Sequence, residues 1–187
     1  MKLDEITVEK DEYYTPPYAI QPLLKYVPKT GIVWCPFDTE DSFFVKMLRA
    51  HGLEVIATHI STGTDFFLSV PPKDFDYIIS NPPFSLKTEV FERLFELNHR
   101  FAMLVGVVGL FESKKRFEMF KNNDWDIMYL DKRVAFFEDY KHPVLSLNPP
   151  FSSVYITKGF LPSRIVFETV EKTPQLEMTE QFIFAPN

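Results

Sequence analysis

The sequence predicts an α/β fold, a single-domain, doubly wound and mostly parallel sheet. Short β-branched and aromatic runs alternate with longer segments of helical apolar spacing, which is the pattern of strands joined by crossover helices. At 187 residues, with 45% hydrophobic and 25% charged content, the chain suits one globular domain that buries a full core. In a sheet of this kind ligands bind beyond the carboxyl ends of the strands, so those ends are where chemistry is expected.

The elements follow in order. A helix is expected over 16–26, with Thr15 as N-cap, Pro16 at the first helical position and Ile20, Leu23, Leu24 and Val27 along one face. Residues 32–35 read as a strand, and Asp41 or Ser42 caps a helix over 42–51 that ends at His51-Gly52. Residues 54–60 form the next strand. About fourteen residues then separate Ile60 from Phe75, too few for a further helix and strand together. A strand over 75–80 is followed by a helix over 87–98, whose Val90, Phe91, Leu94, Phe95 and Leu97 form a core-facing stripe. Next come a strand over 101–107, a helix over 112–122 and a strand over 126–130. Residues 133–137 extend that strand or turn out of it. Residues 153–157 form the last main strand, 163–170 a peripheral strand and 171–187 a polar tail, so the core spans about 12–157 of one domain over 1–187.

The most informative stretch is the end of the strand over 75–80. Tyr77, Ile78 and Ile79 suit a buried strand, while Pro82 and Pro83 cannot donate ladder hydrogen bonds and must end it. Each proline fixes its own φ and biases its predecessor towards extended geometry, so the backbone from Asn81 to Phe84 is stiff and its carbonyls are open. The side-chain oxygen of Asn81 and the carbonyl of Pro82 can together accept both hydrogens of a substrate amino group. The nitrogen lone pair is then aimed at an electrophile, and Phe84 can stack on a planar group carrying the amine.

Asn81-Pro82-Pro83-Phe84 after a hydrophobic strand resembles the catalytic motif of the amino-methyltransferases, which move a methyl group from S-adenosylmethionine to adenine, cytosine or a glutamine side chain. Tyr13-Tyr14-Thr15-Pro16-Pro17-Tyr18 is similar to the amino-terminal cofactor motif of the adenine-specific members. The resemblance implies a Rossmann-like sheet of the class I methyltransferase type, with one antiparallel strand near the C-terminal edge. It also implies that Tyr14, Thr15 and Pro16 meet the cofactor, the helix amides there holding its carboxylate. Cys35-Pro36-Phe37-Asp38 takes the place of the first cofactor loop but lacks that loop's usual glycines, and a similar Trp-Cys-Pro-Phe-Asp-Thr-Glu-Asp-Ser stretch marks phage-encoded relatives. By the same resemblance His59 stands at the ribose position, Asp65 accepts from the cofactor adenine and Phe66 covers its ring.

The implied substrate is the exocyclic amine of adenine in DNA. The same tetrapeptide also serves protein glutamine or RNA adenine methylation, and the glycine-poor loop leaves open a catalytically silent binding module. No segment is long enough for a separate target-recognition domain, so a specificity partner or a small loop over 141–151 is implied. That loop holds a second copy of the motif, Asn148-Pro149-Pro150-Phe151, which leads into a strand instead of closing one. Asn148 and Phe151 are candidates for the target pocket, and Lys132 with Arg133 for phosphate contact.

A formal charge of -6 counts against extended nucleic-acid contact, because nonspecific DNA affinity comes largely from lysine and arginine. The triplet Lys114-Lys115-Arg116 reads as a solvated helix face. A single cysteine excludes an internal disulfide within this chain, and four histidines without ligand spacing predict no metal. No run approaches the roughly twenty apolar residues that cross a bilayer, and the first residues lack a signal peptide's apolar region, so a cytoplasmic protein is expected.

Overall fold

A computed structural model describes residues 13–137 and 151–171. Seven strands form one sheet: β1 (Ile32–Cys35), β2 (Glu54–Ala57), β3 (Tyr77–Ser80), β4 (Arg100–Gly106), β5 (Asp126–Leu130), β6 (Ser153–Lys158) and β7 (Ile165–Glu168), in the order β2-β1-β3-β4-β6-β5-β7. Neighbouring strands are parallel except where β6 runs antiparallel between β4 and β5. The chain therefore winds outward from β1 to β2 and then back through β3 to β4. In sheets of this kind the ligand crevice lies where the direction of winding reverses, here between the carboxyl ends of β1 and β3.

Helices cover both faces. On one side lie α1 (Pro17–Leu24) and α2 (Phe43–His51), and on the other α3 (Lys87–Leu97) and α4 (Lys114–Lys121). The strand period of two decides which residue meets which layer. Val33 and Cys35 pack with Leu23 and Phe44 of the first layer, whereas Trp34 between them packs with Val90, Phe91 and Leu94 of the second. Along β4, Ala102 and Leu104 face the first layer and Phe101, Met103 and Val105 the second.

Three local differences from the sequence reading have physical causes. Helix α1 begins one residue late, with Pro16 as N-cap and no side-chain capping bond, so Thr15 is not the cap and is instead fully buried. The strand expected over 54–60 stops at Ala57, because the His59 ring accepts from the Ser61 amide while the Thr62 hydroxyl accepts from the His59 amide, closing a 3-10 turn over Ile60–Thr62. That turn is the one regular element between β2 and β3, as the short connection demanded. Residues 133–137 leave the sheet: Phe137 exchanges two backbone hydrogen bonds with Tyr14, at 2.8 and 3.2 Å, and the Ala135 amide donates to the Tyr18 hydroxyl at 2.6 Å.

The basic triplet is not simply solvated. Arg116 turns inward and donates to the carbonyls of Gly109 and Leu110 and to the Thr88 hydroxyl, fixing the loop after β4, while Lys115 pairs with Glu92. At the sheet's far edge Glu168 of β7 accepts from Lys25 and Tyr26 just beyond α1, both at 2.5 Å.

The fully buried Tyr155 of β6 donates to the Ala19 carbonyl at 2.9 Å, joining the sheet to α1. Tyr155→Phe removes this buried hydrogen bond and is expected to lower stability by about 1 kcal/mol. Urea unfolding monitored by circular dichroism checks this, with an unchanged midpoint as the contrary result.

Candidate active site

The carboxyl ends of β1, β2, β3, β4 and β5 share one edge of the sheet, and the start of antiparallel β6 joins them. Asn81 directly follows β3 at this edge. Its Nδ2 donates to the Tyr13 carbonyl at 2.5 Å, and because a carbonyl can only accept, the amide orientation is fixed. Its Oδ1 is buried and has no hydrogen-bond partner among the described residues. The Pro82 carbonyl accepts no hydrogen bond among the described residues, whereas the Pro83 carbonyl, expected to be open too, accepts from the Leu86 amide at 3.2 Å as the chain enters the 3-10 turn. Two acceptors at one strand end thus await donors.

Four aromatic rings gather beside them. Phe84, which opens a 3-10 turn, is stacked by Tyr13 at 5.3 Å between centroids and 27° between planes. Phe136 and Phe151 approach Phe84 edge-on, at 5.8 and 5.4 Å. Gly106, at the end of β4, makes this packing feasible: a Cβ there would lie 3.2 Å from Phe151 and 3.4 Å from Phe84. Phe151 of the second Asn-Pro-Pro-Phe copy therefore joins this aromatic cluster, whereas Asn148 lies outside the described residues. Lys87 extends over the Phe84 ring, with Nζ 5.7 Å from its centroid.

The cofactor half is built differently from the sequence expectation. Cys35 is fully buried within the first core layer, which pushes its thiol pKa well up, and its carbonyl accepts from the Thr58 amide. Asp38 is also buried, and its carboxylate accepts from the hydroxyls of Ser42 and Ser80. The Phe37 amide donates to Ser80 Oγ at 3.2 Å and the Asp38 amide to the Thr58 carbonyl at 3.2 Å. The Cys35 side chain is thus taken up by the core, and the Asp38 carboxylate by two serine hydroxyls. Pro36 is buried and the Phe37 ring remains partly exposed.

The start of α1 is similarly altered. Pro16 and Pro17 carry no N–H and the Ala19 amide is bonded to the Pro16 carbonyl, so no row of amides is offered to a carboxylate. What the segment does offer is the buried, unpartnered Thr15 hydroxyl. Tyr14 contributes its backbone to the pairing with Phe137. His59 uses Nδ1 in its own turn, with Ser61. Asp65 accepts from the Phe67 amide through Oδ1 at 2.7 Å, leaving Oδ2 without a hydrogen-bond partner among the described residues. Phe66 is buried between Trp34, Phe37, Phe67 and the Arg93 guanidinium, so Phe37 and Phe67 are the more exposed rings at this corner.

Of the two expected phosphate contacts, Lys132 donates to the Val170 carbonyl at 2.9 Å. Arg133 is exposed and has no ion-pair or hydrogen-bond partner among the described residues. Among those residues no group of three or more His, Cys, Asp or Glu could hold a metal ion, and no helix is long and apolar enough to cross a membrane. Sequence reasoning passed over Tyr13, Phe136, Gly106 and Ser80. The doublets Tyr13-Tyr14 and Phe136-Phe137 were visible, but nothing in their spacing shows that they meet.

Burial pushes the Asp38 carboxyl from the usual 3.8 up to about 6, against the lowering effect of its two serine donors. The native state thus holds this proton to higher pH than the unfolded chain. The group favours folding below 3.8, and that contribution is lost as pH rises to about 6. Relative to Asp38→Asn, which does not titrate, the parent protein is expected to lose on the order of 2–3 kcal/mol of stability between pH 4 and 7. Parallel stability curves for the two proteins would contradict this.

No protein-family model matches the sequence, and no curated protein matches it. Solved structures with a similar chain path include a predicted O-methyltransferase from Agrobacterium tumefaciens, at TM-score 0.41 and 12% identity over 82% of this chain and 85% of that one. A modification subunit of a type I restriction enzyme from Vibrio vulnificus matches at TM-score 0.48 and 12% identity, over 91% of this chain and half, 50%, of its own length. The chain is a seven-stranded α/β sheet, mostly parallel with antiparallel β6 set between β4 and β5.

Proposed function

We propose that this protein transfers a methyl group from S-adenosylmethionine to the exocyclic amine of adenine in DNA. The observation that carries the reading is the fixed amide of Asn81, whose buried Oδ1 has no partner while Nδ2 is anchored to the chain. A buried acceptor left unpaired costs free energy that a donor from a ligand would recover. An amino group has two hydrogens, and Asn81 Oδ1 with the Pro82 carbonyl forms a matching pair of acceptors. Gripped there through both hydrogens, the nitrogen would keep its lone pair free for an electrophile.

The residues along the crevice between β1 and β3 fit the cofactor in part. Thr15 has an unpartnered buried hydroxyl, Asp65 an open carboxylate oxygen, and Phe37 and Phe67 partly exposed rings. These residues, with His59 beside β2, would hold it; bound S-adenosylmethionine would supply an electrophilic methyl group. The protein's own contribution is positioning: Asn81 and Pro82 fix the amine, Phe84 fixes the plane that carries it, and the buried surroundings exclude water.

A nucleobase accounts for the aromatic rings better than a glutamine side chain does, since an amide side chain has no aromatic face to stack. In duplex DNA the amine lies inside the stack, so the base must be flipped out or supplied single-stranded. Arg133, exposed three residues before Phe136, and Lys132 beside it would meet the backbone. The self-satisfied loop after β1 favours a second reading, a catalytically silent fold, because its Phe37 and Asp38 amides are already bonded.

Calorimetric titration with S-adenosylhomocysteine separates the two readings: binding supports the enzyme, and none at millimolar ligand supports the silent module. Asn81→Ala is expected to keep that binding and to lower methyl incorporation from tritiated cofactor by at least roughly a hundredfold. Full activity in Asn81→Ala would refute the mechanism, and incorporation into RNA or protein but not DNA would reassign the substrate.

A further inference from the structure

The aromatic cluster beside Asn81 has an occupant. Tyr13 stacks on Phe84 at 5.3 Å and 27°, meets Phe151 edge-on at 6.1 Å and 84°, and tilts against Phe136 at 5.2 Å and 53°. The parallel face of Phe84, which a planar substrate requires, is covered by this one ring. Phe84 and Phe136 are buried, whereas Tyr13 is only partly so and lies at the outer side of the cluster. Its carbonyl accepts from Asn81 Nδ2 at 2.5 Å, so the same residue covers the stacking face and holds the gripping amide.

We propose that the Tyr13 ring occupies the place of the target base in the free protein, so that a substrate base enters by displacing it from Phe84. The geometry is that of a stand-in: a planar six-membered ring in offset contact with Phe84, bounded by Phe136 and Phe151 as walls. Displacement is local. The paired backbone of Tyr14 and Phe137 anchors the chain one residue later, and the buried Thr15 and Pro16 follow, so Tyr13 can swing about that anchor while the helix and sheet stay in place. The ring leaves by turning on the Tyr13 side-chain bonds, so the Tyr13 carbonyl stays on Asn81 Nδ2 and the amide keeps its orientation. Empty sites of this kind are disfavoured because two apolar rings would face water; self-occupancy keeps the slot dry and lowers the apparent affinity for any weakly held base.

This inference rests on the nucleobase reading above and is tested apart from it, with adenosine as probe and calorimetry as readout. Tyr13→Ala is expected to bind adenosine roughly tenfold more tightly than the parent, and Tyr13→Phe, which keeps the ring, to bind like the parent. Equal or weaker binding by Tyr13→Ala, or no binding by any variant, overturns the proposal. Should Tyr13→Ala fold poorly, Tyr13→Trp reports the same event: adenosine shifts the added indole emission to longer wavelength as the ring leaves Phe84, and an unchanged spectrum at saturation overturns the proposal. Methyl incorporation is followed in parallel. Incorporation into DNA without tighter binding in Tyr13→Ala removes the stand-in role and keeps the methyl-transfer reading. Tighter binding without incorporation into DNA, RNA or protein does the reverse.

Discussion

The carboxyl edge of this sheet is organised by one buried carboxylate. Asp38 accepts from Ser42, the N-cap of α2, and from Ser80, the last residue of β3, and so ties the exit of β1 to both. Burying a carboxylate is costly unless donors surround it, and here both oxygens are supplied. The consequence is mechanical. Ser80 precedes Asn81, so the strand end that carries the open acceptors is held from the β1 side by Asp38 and from the other side by the Tyr13 carbonyl. The same network explains how the loop after β1 manages without glycine. Where a glycine-rich loop leaves room for a ligand to approach its backbone, this loop uses its amides within the protein.

A second constraint comes from the amino-terminal segment. Tyr14 pairs with Phe137 and Tyr18 receives the Ala135 amide, so residues 134–137 turn out of the sheet and lie against the chain entering α1. This brings Phe136 and Tyr13 onto Phe84. Phe151 enters from the start of β6, whose antiparallel course puts its first residues at the edge where the other strands end. Rings from four distant parts of the chain converge there, and Gly106 leaves the space in which they meet.

Much of the fold was legible because it depends on local rules. β1 and β5 run between the residues that the sequence indicated, α2 is capped by Ser42, and α3 ends at Asn98 in a left-handed conformation just past its apolar stripe. Three local readings differ from the structure. Thr15 has the chemistry of a cap, yet the helix starts after it and its hydroxyl faces the interior. His59 looked like a strand residue and serves as the cap of a turn. Arg116 looked like part of a solvated basic face, and the carbonyls of the loop after β4 draw it inward.

From the sequence alone β3 must end at Asn81-Pro82-Pro83-Phe84, because two prolines terminate a strand whatever surrounds them. The same holds for the α/β alternation, since strand and helix periods are properties of neighbouring residues. Only the tertiary structure decided which acceptor stays open, which aromatic rings share the site, and that Asp38 and Cys35 serve the scaffold. Those outcomes depend on contacts between residues many tens of positions apart. The pairing of Tyr14 with Phe137, and of Asp38 with Ser80, exists only once the sheet has set its strand order.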